Sequence, residues 1–531
     1  MKILSIHTSY HDANYCVLED GKIKVHNEIE RFSRIKHDGS FKEGFKKRFN
    51  KILEDEGIFS EEYDHICCAY ARKEAISDYL DVSKLKGNPQ VHYVGHHTSH
   101  VSSAFYNSNF QDALIFSIDG GGEEIEMISS GILWTIFSNC VFQGEGGKVK
   151  SLSNSTALFS MGVTWTTVLE KIFGMGTVFD ERGDECGTLM GMAAFGNPYK
   201  YLDEFRFLLE RSVANLRIDY LRDEIEKDPE NKFHIAAALQ RFTEDYIMNF
   251  VIMNLDRSKS KNVCFTGGVS LNCVALGKVA KALAEKGYQV FCDQSPNDSG
   301  LSLGAAKYLW YHILENPKIP ESQNSYLGRI YSEEEIRSSL TQRNNIEIIE
   351  GVELDRIVDL LTGSKIISLF NGGSESGKRA LGNRSIVADP RFGFMKDFIN
   401  EKVKHRKNYR PFAPSVLREQ VPNWFSLNID SPYMSFAVPV REEKLRMVPA
   451  ILHYDNTARL QTVTQEENGY YYDLIKKFFD KTGVPMILNT SFNNQEPIVE
   501  TPTDAINSFL NTNIDYLYFV KEQILVKKIE N

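Results

Sequence analysis

The sequence predicts an α/β protein with more than one domain, and three observations carry that expectation. Residues 262–310 alternate strand-like and helix-like segments around short glycine-bearing turns. Two strand–acidic turn–strand patterns, one from Lys2 and one from Ala113, stand about a hundred residues apart and suggest an internally duplicated core. A polar, proline-punctuated stretch at Asn316–Arg343 is followed by a fresh helix-and-strand series. At about 150 residues per domain, a chain of 531 residues holds roughly two to four units.

Each element has a local reason. Lys2–His7 is an apolar strand, and Asn14–Glu19 and Lys22–Glu28 flank Asp20-Gly21, a pair suited to a type I′ turn. Ala113–Ile118 is an apolar run that ends in Asp119-Gly120-Gly121-Gly122, and Gly131–Ser138 reads as the next strand. Asn262–Phe265 is a buried-type strand broken by Thr266-Gly267-Gly268, and Leu271–Lys286 has the Ala, Leu and Lys of a helix. Gln289–Cys292 is a strand, and the loop Pro296–Gly300 leads into a helix of small residues. After the linker come helix Leu354–Leu361 and strand Lys365–Phe370. Late in the chain, Thr501-Pro502-Thr503-Asp504 reads as a capped helix start leading to Ala505–Leu510. These boundaries place a large domain over residues 1–335 and a smaller one over 350–531.

Composition excludes several classes. Hydrophobic residues make up 42% and charged residues 25%, which is ordinary for a globular protein and far from a disordered one. The net charge of −10 argues against a protein held on nucleic acid by bulk electrostatics. No apolar run is long enough for a membrane span, and the first residues lack the apolar core of a signal peptide. The eight cysteines form no C-x-x-C pair, which disfavours a cysteine zinc site and a disulfide scaffold. The expectation is a reduced, cytoplasmic protein.

Four of the 13 histidines fall between His92 and His100. On a helix, His96 and His100 share one face and can reach one metal ion, whereas His97 points elsewhere. A polar helix face with incidental histidines is the alternative. Two carboxylates strengthen the metal reading: Asp119 ends an apolar strand, and Asp298 sits immediately before a helix. Two His with two Asp would suit Fe²⁺, Mn²⁺ or Zn²⁺. The Gly267-Gly268 and Gly120-Gly121 segments offer backbone N–H groups to a nucleotide between two lobes. Gly372–Lys378 fits G-x-x-x-x-G-K, but Arg379 stands where a P-loop needs Ser or Thr, so that reading is rejected. The run Lys402–Arg410 carries five Lys or Arg residues; it is either a solvated face or a phosphate groove completed by Arg379, Arg384 and Arg459.

Taken together, the segments YHDAN (10–14), GHHTSHVSSAF (95–105), SIDGGGE (117–123), GTLMGMAAFG (187–196), TGGVSLNCV (266–274) and NDSGLSLGAA (297–306) resemble those of NodU/CmcH-type O-carbamoyltransferases. So do KRALGNRSIVADPR (378–391), YRPFAPSVL (409–417), DNTARLQTV (455–463) and LNTSFNNQEPIVETPTDAI (488–506), in family order along essentially the whole chain. The resemblance implies a TsaD-like domain with duplicated ribonuclease-H-like lobes of the actin/hexokinase superfamily, followed by a smaller YrdC-like α/β domain. It implies that the second domain combines carbamoyl phosphate with ATP, taken with Mg²⁺, to give carbamoyladenylate. The first would then transfer the carbamoyl group to an acceptor hydroxyl near a bound metal, usually Fe²⁺. Carried over by motif, His96, His100, Asp119 and Asp298 would be the metal ligands, and Gly120, Gly121, Gly267, Gly268 and Asn272 would meet nucleotide. Arg379, Lys404, Arg410, Arg459 and Ser491 would form the carbamoyl phosphate and ATP site. His11, with Asp12 beside it, would help deprotonate the acceptor.

Two departures from the family pattern stand out: Gly373 replaces an Arg and Lys378 a Pro in G-R-M-E-F-G-P-R-A-L, and Thr188 replaces a Lys ahead of L-M-G. The acceptor would be a sugar, a natural product or a modified nucleoside, with a nucleic acid disfavoured by the negative charge. Threonylcarbamoyl transfer to tRNA and a non-catalytic adenylate-binding protein are the rival functions.

Overall fold

In a computed structural model, the structure describes residues 1–69, 75–128, 131–156, 159–180, 185–319, 324–341 and 343–529. The chain divides into two compact units, Met1–Gln323 and Asn324–Asn531.

The first unit contains two five-stranded sheets. One is built from β1 (Lys2–His7), β2 (Asn14–Glu19), β3 (Lys22–Glu28), β4 (His65–Cys68) and β5 (Gln90–Tyr93) in the order β3-β2-β1-β4-β5. The other uses β6 (Asp112–Ile128), β7 (Gly131–Glu145), β8 (Lys148–Thr156), β9 (Asn262–Thr266) and β10 (Gln289–Cys292), ordered β10-β9-β6-β7-β8. Both follow one plan: the first strand pairs antiparallel with the second and parallel with the fourth, and the third and fifth strands flank them. The duplicated pattern read from the sequence is therefore a duplicated topology. The first hairpin turns through Asp20 and Gly21, both with positive φ (48° and 81°), as a type I′ turn requires.

Two largely buried helices hold the unit together. His96–Asn107 packs on β6, Leu301–Lys307 packs on β1 and β2, and the two helices pack on each other. Their closest approach needs Gly304, where a Cβ would lie 1.9 Å from the Ser99 carbonyl oxygen. Every residue of Leu301–Lys307 is buried, so its run of Leu, Ser, Gly and Ala serves packing on all sides.

The second unit is a nine-stranded sheet. In chain order its strands are β11 (Ile346–Ile349), β12 (Ile367–Phe370), β13 (Arg384–Ala388), β14 (Ala413–Leu417), β15 (Phe436–Pro439), β16 (Thr457–Val463), β17 (Met486–Ser491), β18 (Tyr516–Phe519) and β19 (Ile524–Lys528). They are arranged β11-β19-β18-β12-β13-β17-β14-β16-β15, antiparallel except for the β12–β18 and β14–β16 pairs. The capped helix start at Thr501 forms as read: Thr501 and Asp504 exchange side-chain and backbone hydrogen bonds in a capping box.

Two expectations change. The division falls after Gln323 rather than near Glu335, because the segment that follows zips onto the second unit. There Ser376 N–H donates to Ser325 O (2.7 Å) and Gly328 N–H to Ser374 O (3.0 Å), and Glu333–Thr341 is a helix rather than linker. Residues 320–323 and 342 of the expected linker lie outside the described residues. Asp119-Gly120-Gly121-Gly122 does not end a strand. It is a bulge inside β6, where pairing with β7 skips from Ile118 to Gly122. The rejected P-loop reading stays rejected: the Gly372–Lys378 loop leads from β12 into the antiparallel β13, with no helix after it.

Replacing Gly304 with Ala should lower the unfolding free energy by about 1–3 kcal/mol, since the new methyl meets backbone that cannot swing aside. Urea denaturation followed by circular dichroism measures it; unchanged stability would mean that the two helices do not pack this closely.

Candidate active site

Four side chains from separate segments of the first unit converge. His96 and His100 lie one turn apart on the helix His96–Asn107, Asp119 comes from the β6 bulge, and Asp298 from the turn before Leu301–Lys307. One ligand atom from each lies within 4.8 Å of all the others, and all four residues are buried. His96 Nε2 stands 3.1 Å from Asp119 Oδ2 and 3.1 Å from His100 Nε2. His100 Nε2 is 3.5 Å from Asp298 Oδ1 and 4.0 Å from Asp119 Oδ2.

These distances suit donors to one small cation. Bonds of ~2.1 Å put neighbouring donors roughly 3.0–3.4 Å apart in octahedral or tetrahedral arrangements. The charge balance points the same way. Burial opposes every charge here, yet the Asp298 and Asp119 carboxylates raise His96 to about 9. Against the same burial, His96 and its neighbours lower Asp298 to about 2 and hold Asp119 well below the usual carboxylate range. Two ionised carboxylates in a buried site demand positive charge, which a divalent ion supplies better than one imidazolium.

The surroundings fix these four side chains. Asp119 Oδ1 accepts the Gly268 N–H at 2.7 Å, leaving Oδ2 for the histidines. Gly122 lies flat against the His96 ring, where a Cβ would come within 2.1 Å of it. Glu124 accepts from Thr98 N–H (2.7 Å) and Thr98 Oγ1 (2.9 Å), capping the start of the histidine helix. His97 turns the other way, toward Ser117 Oγ (2.8 Å) and the Phe137 carbonyl (2.8 Å).

His11 and Asp12 lie beside this cluster. His11 Nδ1 is 3.1 Å from Asp12 Oδ2, and His11 Nε2 is 3.9 Å from Asp298 Oδ2. Asp12, in a left-handed conformation (φ 55°), also accepts from Asn297 Nδ2 (3.1 Å) and faces His37 Nδ1 (2.6 Å). With Asp12 accepting the Nδ1 proton, the other ring nitrogen of His11 is the basic one.

The glycine segments do more structural work than their spacing suggests. Gly267 (φ 86°) presses on the Ile118 backbone, where a Cβ would be 2.3 Å from the carbonyl oxygen. Gly268 spends its N–H on Asp119. Gly120 accepts from Ser160 Oγ (2.7 Å) through its carbonyl, and Gly121 is exposed. Asn272 caps helix Cys273–Glu285 through Ala275 N–H (3.1 Å) and exchanges amide hydrogen bonds with Gln240.

In the second unit, Lys404 Nζ donates to Ser491 O (2.8 Å), Ser491 Oγ (3.1 Å) and Asn493 O (2.8 Å), joining two residues the sequence singles out. Arg410 and Arg459 are drawn together around Arg406. Desolvation, then repulsion from Arg410 and Arg459, pushes the Arg406 guanidinium well below its ordinary range. Like charges gathered this closely favour a bound anion. Arg379 is half-buried at the foot of the loop that precedes β13.

Comparison with known proteins decides the family. Residues 67–307 match the carbamoyltransferase N-terminus family model and residues 358–528 match the carbamoyltransferase C-terminus model. Nodulation protein NolNO of Sinorhizobium fredii is 33% identical over 98% of this chain and 79% of its own length. The chain belongs to the carbamoyltransferase family. An uncharacterised Synechocystis protein is 30% identical over 97% of this chain and 95% of its own. The solved structure of full-length HypF in its phosphate- and nucleotide-bound form aligns with a TM-score of 0.40 and 15% identity, over 59% of this chain and 56% of that one, too slight a likeness to carry an argument.

This carbamoyltransferase is an enzyme, and three of its site neighbours escape a reading of spacing alone. Glu124 looks like any strand glutamate until the fold sets it over the histidine helix. Arg406 sits inside the basic run, and nothing in the run distinguishes it from Lys402 or Lys407. His7 ends β1 with its Nε2 3.9 Å from Asp298 Oδ2; burial lowers it to about 4, so it is neutral.

His100→Ala should weaken divalent-ion binding by more than about 100-fold, and Glu124→Gln by roughly 10–100-fold through the helix it holds. Calorimetric titration with Mn²⁺ on variants that melt like the parent checks both; equal affinity in His100→Ala would remove the four residues as a metal centre.

Proposed function

We propose that this carbamoyltransferase uses ATP to activate carbamoyl phosphate as carbamoyladenylate and then passes the carbamoyl group to an acceptor hydroxyl. The observation that supports it most is the convergence of His96, His100, Asp119 and Asp298 beside His11, with a separate cationic cluster in the second unit. The two chemistries need those two environments.

Activation is assigned to the second unit, in the role of a YrdC-like domain. Mass balance sets its course: water releases phosphate from carbamoyl phosphate, and the resulting carbamate oxygen attacks the α-phosphorus of ATP, displacing pyrophosphate. Arg379, Arg410 and Arg459 bind and neutralise the phosphates, which arrive with Mg²⁺. Lys404, locked on Ser491 and Asn493, shapes the floor on which they lie.

Transfer is assigned to the first unit, as a TsaD-like pair of ribonuclease-H-like lobes. His96, His100, Asp119 and Asp298 would hold an ion such as Fe²⁺, which would supply Lewis acidity where charge develops. His11 takes the acceptor hydroxyl proton at Nε2, while Asp12 holds the ring through Nδ1. The acceptor oxygen then forms a bond to the carbamoyl carbon and AMP leaves. The Gly120-Gly121 and Gly267-Gly268 segments and Asn272 are assigned to the adenylate.

The test is product analysis with ATP, Mg²⁺ and carbamoyl phosphate. Pyrophosphate and phosphate should appear in equal amounts, and only when carbamoyl phosphate is present. Arg459→Ala should cut pyrophosphate release by at least ~100-fold, whereas Asp298→Asn should preserve release and abolish acceptor-dependent AMP formation. Pyrophosphate formed without carbamoyl phosphate would defeat the reading.

A further inference from the structure

His37 stands behind the His11–Asp12 pair, and its imidazole has no part in the chemistry described so far. Both His37 and Asp12 are buried. His37 Nδ1 lies 2.6 Å from Asp12 Oδ1, while Asp12 Oδ2 faces His11 Nδ1 and the Asn297 side-chain amide, each at 3.1 Å. An ionised carboxylate only accepts hydrogen bonds. Both imidazoles therefore turn an N–H toward it, and both carry that proton on Nδ1.

The backbone is strained to make this meeting. Asp12 and His37 are both left-handed, with φ of 55° and 52°, a region that residues other than glycine rarely adopt. Each is held there by neighbours. Glu30 Oε2 accepts the His37 N–H at 2.7 Å, and Ala13 N–H donates to Asp38 O at 2.8 Å. Asn14 Nδ2 donates to both Asp12 O (2.6 Å) and Asp298 O (2.9 Å), which sets the base segment against the metal-ligand segment.

The need for such a device lies in the surroundings of His11. Its ring has two carboxylates near it, Asp12 at 3.1 Å from Nδ1 and Asp298 at 3.9 Å from Nε2. A neutral imidazole has one proton to give. On Nδ1 it leaves Nε2 bare and able to accept a hydroxyl proton; on Nε2 it leaves the ring facing the hydroxyl with an N–H. The orientation of Asp12 thus decides whether His11 is a base. A carboxylate swings freely about its last bond unless one oxygen is tied.

We propose that His37 is a positioning residue for the hydroxyl-transfer step, pinning one oxygen of Asp12 so that the other holds the His11 proton on Nδ1. The inference rests on the proposed role of His11 and extends that base to a His11–Asp12–His37 chain. His37 orients and does not relay, since both imidazoles donate to the same carboxylate and no proton has to pass along the chain.

The experiment is magic-angle-spinning NMR on the full chain, loaded with Zn²⁺ and carrying ¹³C,¹⁵N-labelled histidine, at a pH of about 8, above the ordinary imidazole value. Correlations of Nδ1 with Cγ and of Nε2 with Cδ2 show which nitrogen holds the proton. Signals of His11 are assigned by their loss in His11→Gln, and those of His37 by their loss in His37→Asn. Asn and Gly both accept the left-handed backbone at 37, but only Asn keeps an N–H donor near the place of Nδ1. The proton should sit on Nδ1 in about nine-tenths or more of His11 in the unaltered protein and in His37→Asn, and in less than about half in His37→Gly. A proton on Nε2 of either ring in the unaltered protein overturns the proposal, as does an unchanged His11 in His37→Gly. The first of these needs no variant, so the proposal stays decidable even where His37→Gly fails to fold. Ring protonation is read without any acceptor, whereas the base reading falls if His11→Gln keeps acceptor-dependent AMP formation, so the two failures are distinguishable.

Discussion

The Asp119 carboxylate ties the first unit's architecture to its chemistry. One oxygen accepts the Gly268 N–H and the other faces His96, so a single side chain links the β9 turn, the β6 bulge and the histidine helix. A bulge is needed for this, because an uninterrupted strand would turn alternate side chains to opposite faces and give Asp119 no freedom to reach both partners. The glycines around it follow. Gly122 clears the His96 ring, Gly267 lets the turn reach Ile118, and Gly162 lies where a Cβ would come within 2.6 Å of Gly120. Several glycines in a buried region are costly in chain entropy. Here they are the condition for bringing three backbone segments within reach of one carboxylate.

How much of this was legible follows from which signals are local. The hairpin at Asp20-Gly21 and the cap at Thr501 depend on a few adjacent residues, and both form as their sequence predicts. The i, i+4 spacing of His96 and His100 likewise gives one helix face. The Asp119 segment misleads for a physical reason: three glycines look like a chain reversal, but pairing with β7 resumes beyond them and carries the strand onward. The unit boundary misleads similarly. Residues Ser325–Gly328 have the polarity of a linker, yet their backbone pairs with Ser374–Ser376, a contact invisible without the fold.

Electrostatics divides the two units along their assigned tasks. In the first, carboxylates outnumber the cations available within the cluster, and His96 is driven upward in response. In the second, burial and then the neighbouring Arg410 and Arg459 drive Arg406 downward. Both shifts run against an ordinary stability optimum, since each gathers like charge in a place that water does not fully screen. Such arrangements would be relieved by a bound partner of opposite charge, a cation in one case and an anion in the other. The opposite signs of these two shifts are the reason to assign phosphate activation and hydroxyl transfer to different units.

The departure at Gly373 follows from the same packing that moved the unit boundary. A Cβ at that position would lie 2.5 Å from the Gly328 carbonyl oxygen, and Gly328 in turn lies where a Cβ would meet Ser374 Oγ at 1.9 Å. With the 325–328 segment laid along the loop, no side chain larger than hydrogen fits at 373, so a cation cannot be presented from there. The loop is organised instead by buried Glu375, whose Oε1 accepts from Leu381, Asn383 and Arg384 N–H at 2.7, 2.7 and 3.1 Å. That clamp leaves Lys378 and Arg379 on the stretch it spans, at the half-buried rim of the loop.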